Sequence, residues 1–300
     1  MAALTPEGPM APLTPPAMTV ADGPTAPTGQ GRRRRIRVWR GVILAIAAVY
    51  FLVPLLASFM FTVKAPEQDF SLDAYGQIFT TEGFGQSLLL SIGLGVATIV
   101  VVLLLTLPAM LAVRLSMPKL KPVLEVVCTL PLVVPPITFV AGINTVLQFG
   151  PDYLASTPFY QTIFAIQDEN FPVVLVLAYV ILALPFVYRA LDAGLGAIDV
   201  RTLVEAARNL GASWPHLIFR VIVPNLRSSL ASASFLTLAL VLGEFTIASL
   251  LHFQTFPVWI YTISGSQAQV SVAVSVFSLL ITWLLLLALS SAGARQRSGS

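Results

Sequence analysis

Charge is what this 300-residue chain has least of: Asp, Glu, Lys and Arg make up 10% of it, against 56% apolar residues. Mean hydropathy is +0.85. A water-facing domain carries about 25% charged residues, so a soluble globular protein is excluded. Cysteine is nearly missing too. The single one, Cys128, rules out a disulfide framework within the chain and, inside an apolar run, reads as inert packing. The two histidines, His216 and His252, lie far apart with no cysteine at ligand spacing, so neither is expected to hold a metal. No GxxxxGK phosphate loop, GxSxG elbow or HExxH helix occurs, so the chain is not expected to hydrolyse a nucleotide or an ester itself. If ATP powers it, another subunit is the ATPase.

Long apolar runs are abundant. Six stand out: Gly41 to Val63, Ser87 to Val113, Val126 to Phe149, Phe171 to Tyr188, Leu230 to Leu251 and Val270 to Leu289. A hydrocarbon core of about 30 Å needs roughly 20 helical residues, and the alternation expected of membrane strands is missing. The expected fold class is an all-α membrane protein with six transmembrane helices. The fourth run is the shortest.

Basic residues orient these helices. They fall before the first run (Arg32, Arg33, Arg34, Arg35, Arg37, Arg40), between the second and third (Arg114, Lys119, Lys121), between the fourth and fifth (Arg189, Arg201, Arg208, Arg220, Arg227) and after the sixth (Arg295, Arg297). Of the seventeen Lys and Arg residues only Lys64 falls on the opposite side, which carries Glu67, Asp69, Asp73, Glu82, Asp152, Asp168 and Glu169. Positive charge stays inside, so both termini are expected in the cytoplasm. Residues 1–40 form a Pro-rich, disordered and then Arg-rich cytoplasmic tail, residues 41–290 the transmembrane domain and residues 291–300 a second tail. The arginine run abuts a span, so topology and anionic lipid explain it better than nucleic acid does.

The inner loop 189–227 is the longest. Val200 to Leu210 reads as an amphipathic helix with Leu203, Ala207 and Leu210 on one face and Arg201, Glu205 and Arg208 on the other. Gly211 suits its C-terminus, where a left-handed backbone is needed. Trp214-Pro215 opens a second helical segment with Leu217, Ile218, Val221 and Ile222 as its apolar face, and Pro224 marks the entry to the fifth span.

Glu205-Ala206-Ala207, Gly211, and Val221-Ile222-Val223-Pro224 at their spacing resemble the EAA signature of type I ABC importer permeases, with Val221 and Val223 standing where that signature has Ile and Leu. The resemblance extends over about residues 40 to 290. It implies a coupling helix seated on a separate ATPase, with Glu205 paired to a basic residue there, Ala206 and Ala207 permitting close approach, Gly211 making the turn and Pro224 ending the motif. It further implies a second homologous permease subunit, two ATPase subunits that bind ATP and Mg, an extracytoplasmic substrate-binding protein, and a multi-pass location in a prokaryotic cell membrane. The chain itself needs no cofactor.

Pro131, Pro135 and Pro136 in the third run free backbone carbonyls, which in lipid persist only against protein or a water-filled cavity. Pro135 and Pro136 either line a translocation pathway or form a kink that improves packing. Glu244 is the one acid deep in a predicted span. It either attracts a cationic solute, bonds a neighbouring helix or reaches the outer surface. Ser228, Ser232, Ala233 and Ser234 suit close helix contact, at a permease dimer interface or within the subunit. The stretch from Gly243 to Tyr261, with Phe256-Pro257-Val258-Trp259-Ile260-Tyr261, resembles permeases of the polyamine, ferric iron and thiamine branch, and most of all the spermidine/putrescine subunits. A polyamine is the expected substrate, with ferric iron, thiamine or another small solute as the alternative. A secondary transporter would show an inverted repeat and paired intramembrane charges, and neither is visible.

Overall fold

The computed structural model describes residues 30–64, 70–153 and 155–295. The described residues are helical wherever they are regular, without strands. The chain divides into two units at Pro54. Helix α1 (Gln30–Val63) supplies all that is described of the first unit. Residues 1–29 lie outside the described residues, so the disorder expected for the Pro-rich tail lies there too. Helix α1 already begins at Gln30, so the Arg-rich segment ahead of Gly41 is helical. Arginine is a good helix former and no proline intervenes. From Val42 to Val53 apolar side chains such as Leu44, Tyr50 and Phe51 are exposed, as on a helix whose solvent is lipid.

Among the described residues the second unit holds the end of α1 and thirteen further α-helices: α2 (Asp73–Gln77), α3 (Phe84–Ser116), α4 (Lys121–Thr129), α5 (Pro136–Tyr153), α6 (Pro158–Ala165), α7 (Val173–Gly196), α8 (Val200–Asn209), α9 (Trp214–Leu217), α10 (Val223–Asn225), α11 (Arg227–Gly243), α12 (Thr246–Leu250), α13 (Phe256–Ser264) and α14 (Ala268–Arg295). By length and composition Gly41–Val63, α3 and α7 can each cross a membrane, and bent pairs of helices raise that to five. Within α14 the stretch Ala268–Leu284 is apolar but shorter. Helix α14 reaches Arg295, so the tail expected from residue 291 begins as helix.

Helix α7 is the centre. Leu175, Tyr179, Ala183, Val187, Leu191 and Leu195 recur every fourth residue and all are fully buried. The same four-residue step carries Leu94, Thr98, Val102, Thr106 and Met110 on α3, and Ala233, Thr237 and Val241 on α11. Such rows are the ridges that fit into a neighbour's grooves, and α3, α7 and α11 pack mutually. The buried threonines do not leave hydroxyls stranded: Thr98, Thr106 and Thr237 donate to the carbonyls of Leu94 (2.7 Å), Val102 (2.6 Å) and Ala233 (2.8 Å). Two glycines set the closeness of approach. A Cβ on Gly95 would stand 2.7 Å from Leu238 Cδ1, and one on Gly194 would collide with the Ser229 side chain. Of the small residues expected at a helix contact, Ala233 is buried inside the subunit while Ser228 and Ser232 are exposed. Ser229, beside Gly194, makes the tightest crossing.

Three predicted spans differ from the helices found. Helix α7 runs two turns beyond Tyr188, so the inner loop begins at Ala197 rather than at residue 189. Arg189 and Asp192 ended the apolar run without ending the helix. The third run is not one helix: α4 gives way to a 3₁₀ turn at Leu130–Leu132, and α5 restarts at Pro136 with a 100° change of direction. Pro135 and Pro136 lack amide protons and bias the preceding residues away from helical geometry, while Pro136 suits a first helical turn. The fifth run breaks at Glu244, whose backbone is extended (φ −80°, ψ 116°), between α11 and α12.

A smaller cluster joins α2, α13 and α14 through Ile78, Phe256, Trp259, Val270, Ala273 and Val274. Trp259 Nε1 donates to the Glu82 carbonyl (3.0 Å) and Phe256 N to Ser91 Oγ (2.8 Å). The Phe256-to-Tyr261 stretch, which suggested a substrate class, therefore contributes to packing through Phe256, Val258 and Trp259, all buried.

The Gly194 crossing yields the first prediction. Gly194→Val should force α7 from α11 and cost at least about 2 kcal/mol, read as a lower thermal midpoint of the purified protein. Ser229→Gly in the same chain should recover part of the loss. An unchanged midpoint for Gly194→Val would place the crossing elsewhere.

Candidate functional site

The segment from Asp199 to Leu226 is built around a turn. Asp199 starts α8: its carboxylate accepts from Thr202 N (3.2 Å) and Thr202 Oγ1 (2.7 Å), satisfying an amide the first turn leaves open. Those bonds hold the Asp199 carboxyl below the usual carboxylate range. Val200, Val204 and Ala207 turn inward and are buried, while Glu205 and Ala206 are exposed. The expected inner face included Leu210, and here the structure corrects the reading: Leu210 is 89% exposed. The helix has already unwound at that residue.

The unwinding follows a specific pattern. Gly211 adopts φ +81°, its amide donates to the Arg208 carbonyl (2.9 Å), and the Ala212 amide reaches back to the Ala207 carbonyl (3.0 Å). This pair of bonds is a Schellman closure, and its left-handed residue favours glycine. Ala207 thus supplies both the last buried contact of α8 and the carbonyl that receives the returning chain.

After the turn, Trp214 and Pro215 start α9, whose Leu217 is fully buried, as is Ile222 further on. Ile218 and Val221 are half-buried, in accord with the expected apolar face. Ile218–Ile222 widens into a π-turn directly before Pro224. The proline has no amide to give and its ring crowds the carbonyl four residues back, which a wider turn relieves. The chain then bends by 83° into α11 at Leu226, a buried pivot. Glu205 bonds Arg201 Nε at 3.1 Å, both highly exposed, a pair worth only a few tenths of a kcal/mol. Around the turn, Leu210, Trp214 and Phe219 present exposed apolar surface, with the Arg208 guanidinium 5.4 Å from the Trp214 ring centre.

A clamp that sequence reading missed stands behind α8. Arg114, near the end of α3, donates to the Leu195 carbonyl (2.6 Å), the Asp192 carbonyl (3.0 Å) and Asp192 Oδ1 (2.7 Å), and Lys121 lies 3.4 Å from the same oxygen. It caps the last turn of α7, where bare carbonyls need donors. The available signal was an arginine ending one apolar run and an aspartate just past another.

Of the residues expected to line a pathway, Pro135 and Pro136 are exposed at the break before α5. Glu244 is half-buried, and its Oε1 and Oε2 accept from Ile247 N (2.8 Å) and Ala248 N (3.3 Å), so it caps α12. Helix α12 packs against α5, which brings the two restarted helices together. Among the described residues no group of three or more His, Cys, Asp and Glu side chains is placed to hold a metal.

Residues 105–296 match the family described as binding-protein-dependent transport system inner membrane component. The chain is also 28% identical, over 264 residues, to the molybdenum transport system permease proteins ModB of Mycobacterium bovis and Mycobacterium tuberculosis, covering 85% of this chain and 94% of each relative. The family implies an ATPase and a substrate-binding protein as partners in general. The matched region runs from the last third of α3 through the Schellman turn to the end of α14. The chain belongs to the binding-protein-dependent transport inner membrane components, as a permease subunit of an ABC importer: a transport subunit rather than an enzyme, in the prokaryotic plasma membrane.

Proposed function

We propose that this permease forms half of a translocation pathway with a second permease subunit, stands on two ATPase subunits that bind ATP and Mg, and receives a small oxyanion of the molybdate type from its binding protein. Six spans with both termini in the cytoplasm complete the reading, each bent pair of helices lying in one membrane passage. The observation that carries it is the turn Ala207–Ala212: buried Val204, Ala207 and Leu217 anchor it, while Glu205, Ala206 and Leu210 face outward, available to a partner. Closure of the ATPases would push this turn, and the buried α7 behind it would pass the motion to the bundle.

The substrate reading rests on relatives matched over nearly their whole length. A polyamine drew on Glu244 and on the Phe256-to-Tyr261 stretch. The first is engaged in capping α12 and the second in packing, so neither is left as evidence for a cation. Molybdenum in neutral water is an oxyanion, and a pathway for it gains nothing from an unpaired carboxylate. The pathway itself is assigned to the breaks before α5 and α12, because irregular backbone at membrane depth is tolerated where it lines a cavity or is buried in protein.

Glu205→Arg should weaken ATPase docking by placing a cation where a basic partner is expected, and Leu210→Asp should weaken it more, by charging the most exposed apolar side chain of the turn. Both are read as ATPase retained on affinity-purified permease, with a loss of about tenfold for Leu210→Asp. Full retention and normal transport in both variants would remove the coupling role. For sidedness, a cysteine at Ser156 in a Cys128→Ala background should react with an impermeant thiol reagent from outside, and one at Ser213 should not. The opposite pattern would invert the arrangement. For the solute, proteoliposomes carrying the complete importer should take up molybdate in competition with tungstate and ignore spermidine; uptake of spermidine alone would reinstate the polyamine.

A further inference from the structure

A cleft of about 510 Å³ opens beside the clamp, between the ends of α3 and α7 and the start of α8. Its walls include Arg114, Pro118, Lys121, Gly196, Asp199 and Arg201. The volume lies within the range of small-molecule sites. Two of the helices around it are spans that end there, so it stands at the level of phospholipid headgroups.

The charges around it differ in what they have to spare. Asp192 carries Arg114 and Lys121 on one oxygen, and Asp199 is engaged by Thr202. Glu205 takes a single bond from Arg201. Arg114 makes three hydrogen bonds to α7. Lys121, its side chain 49% exposed, has three donors and one ion pair, and Arg201, 83% exposed, commits one of five. Of the charged residues that line the cleft three are basic, Arg114, Lys121 and Arg201, and one is acidic, Asp199, so positive charge prevails where an ammonium and a guanidinium flank a pocket large enough for a phosphate and its glycerol.

We propose that this cleft binds the phosphate headgroup of an anionic phospholipid from the inner leaflet, an assignment that rests on the cytoplasmic placement of the α8 turn given above. Lys121 and Arg201 hold the phosphate oxygens, and the acyl chains run along the exposed apolar surface of the neighbouring spans. Basic pockets between membrane helices have this chemistry, and each cation near such a surface contributes about fivefold in binding. Because Arg201 belongs to the first turn of α8, an occupied cleft stiffens the support of the turn that faces the ATPase.

The test uses the intact permease–ATPase complex, equilibrated in nanodiscs of mixed phosphatidylglycerol and phosphatidylcholine and then read by native mass spectrometry. The wild type should retain phosphatidylglycerol in preference to phosphatidylcholine, Lys121→Gln should lower that retention about fivefold, and Lys121→Arg should keep it. Arg114 remains on Asp192 in both variants, so the clamp and the fold survive. Equal retention of the two lipids by the wild type, or no change in Lys121→Gln, overturns the proposal. Complete displacement by millimolar inorganic phosphate overturns it in favour of a free anion, and a severalfold rise on removing the ATPase assigns the cleft to that subunit instead. Lipid retention is read without regard to leaflet, so an inverted labelling pattern at Ser156 and Ser213 would overturn the orientation alone.

Discussion

A backbone amide in hydrocarbon has no water to turn to, and the architecture of this permease follows from where that demand is met. An unbroken helix meets it internally. At four departures from helix a named group steps in: Arg114 closes α7, Asp199 opens α8, the Ala207 and Arg208 carbonyls receive the chain at Gly211 and Ala212, and Glu244 opens α12. Charged side chains are scarce in this sequence, and several of them are spent on helix ends.

The same accounting explains how much was legible beforehand. Long apolar runs located the helices that are long and apolar enough to cross a membrane, because hydropathy reports the solvent directly, and the Glu205-to-Pro224 spacing located the turn because glycine and proline act through local geometry. Ridges with a four-residue step on α3, α7 and α11 were not legible, since a helix apolar on all sides has no preferred face in sequence. The break at Glu244 was hidden for a related reason. An acid inside an apolar run reads as a lone charge, and only the folded chain shows it satisfying two amides of its own backbone. Leu210 misled in the other direction: its periodicity belongs to α8, but the Schellman closure has already turned it outward.

Charge and packing also divide the labour between the two ends of the bundle. At the end bearing α8, ion pairs and carbonyl caps hold Arg114, Lys121 and Asp192 together across three helices. At the opposite end aromatic stacking does that work, with Phe84, Phe256 and Trp259 in mutual ring contact. Gly83, at φ +84°, passes so near Trp259 that a Cβ there would lie 2.8 Å from the indole nitrogen. One end is thus sensitive to ionic conditions and the other to side-chain volume.

The four-residue ridges of α7 have a mechanical consequence. Helix α7 is about 36 Å long at 1.5 Å per residue and stays one helix through Pro185, whose missing amide is offset by packing against two neighbours along its length, so it can pass on much of a displacement applied to one end. Flexure must then concentrate at joints. Three are on offer, the proline break before α5, the bend at Leu226 into α11 and the Glu244 break before α12, and helices α5 and α12 pack together, so a push at the α8 turn would have compliant hinges to work on only where the helices are already parted.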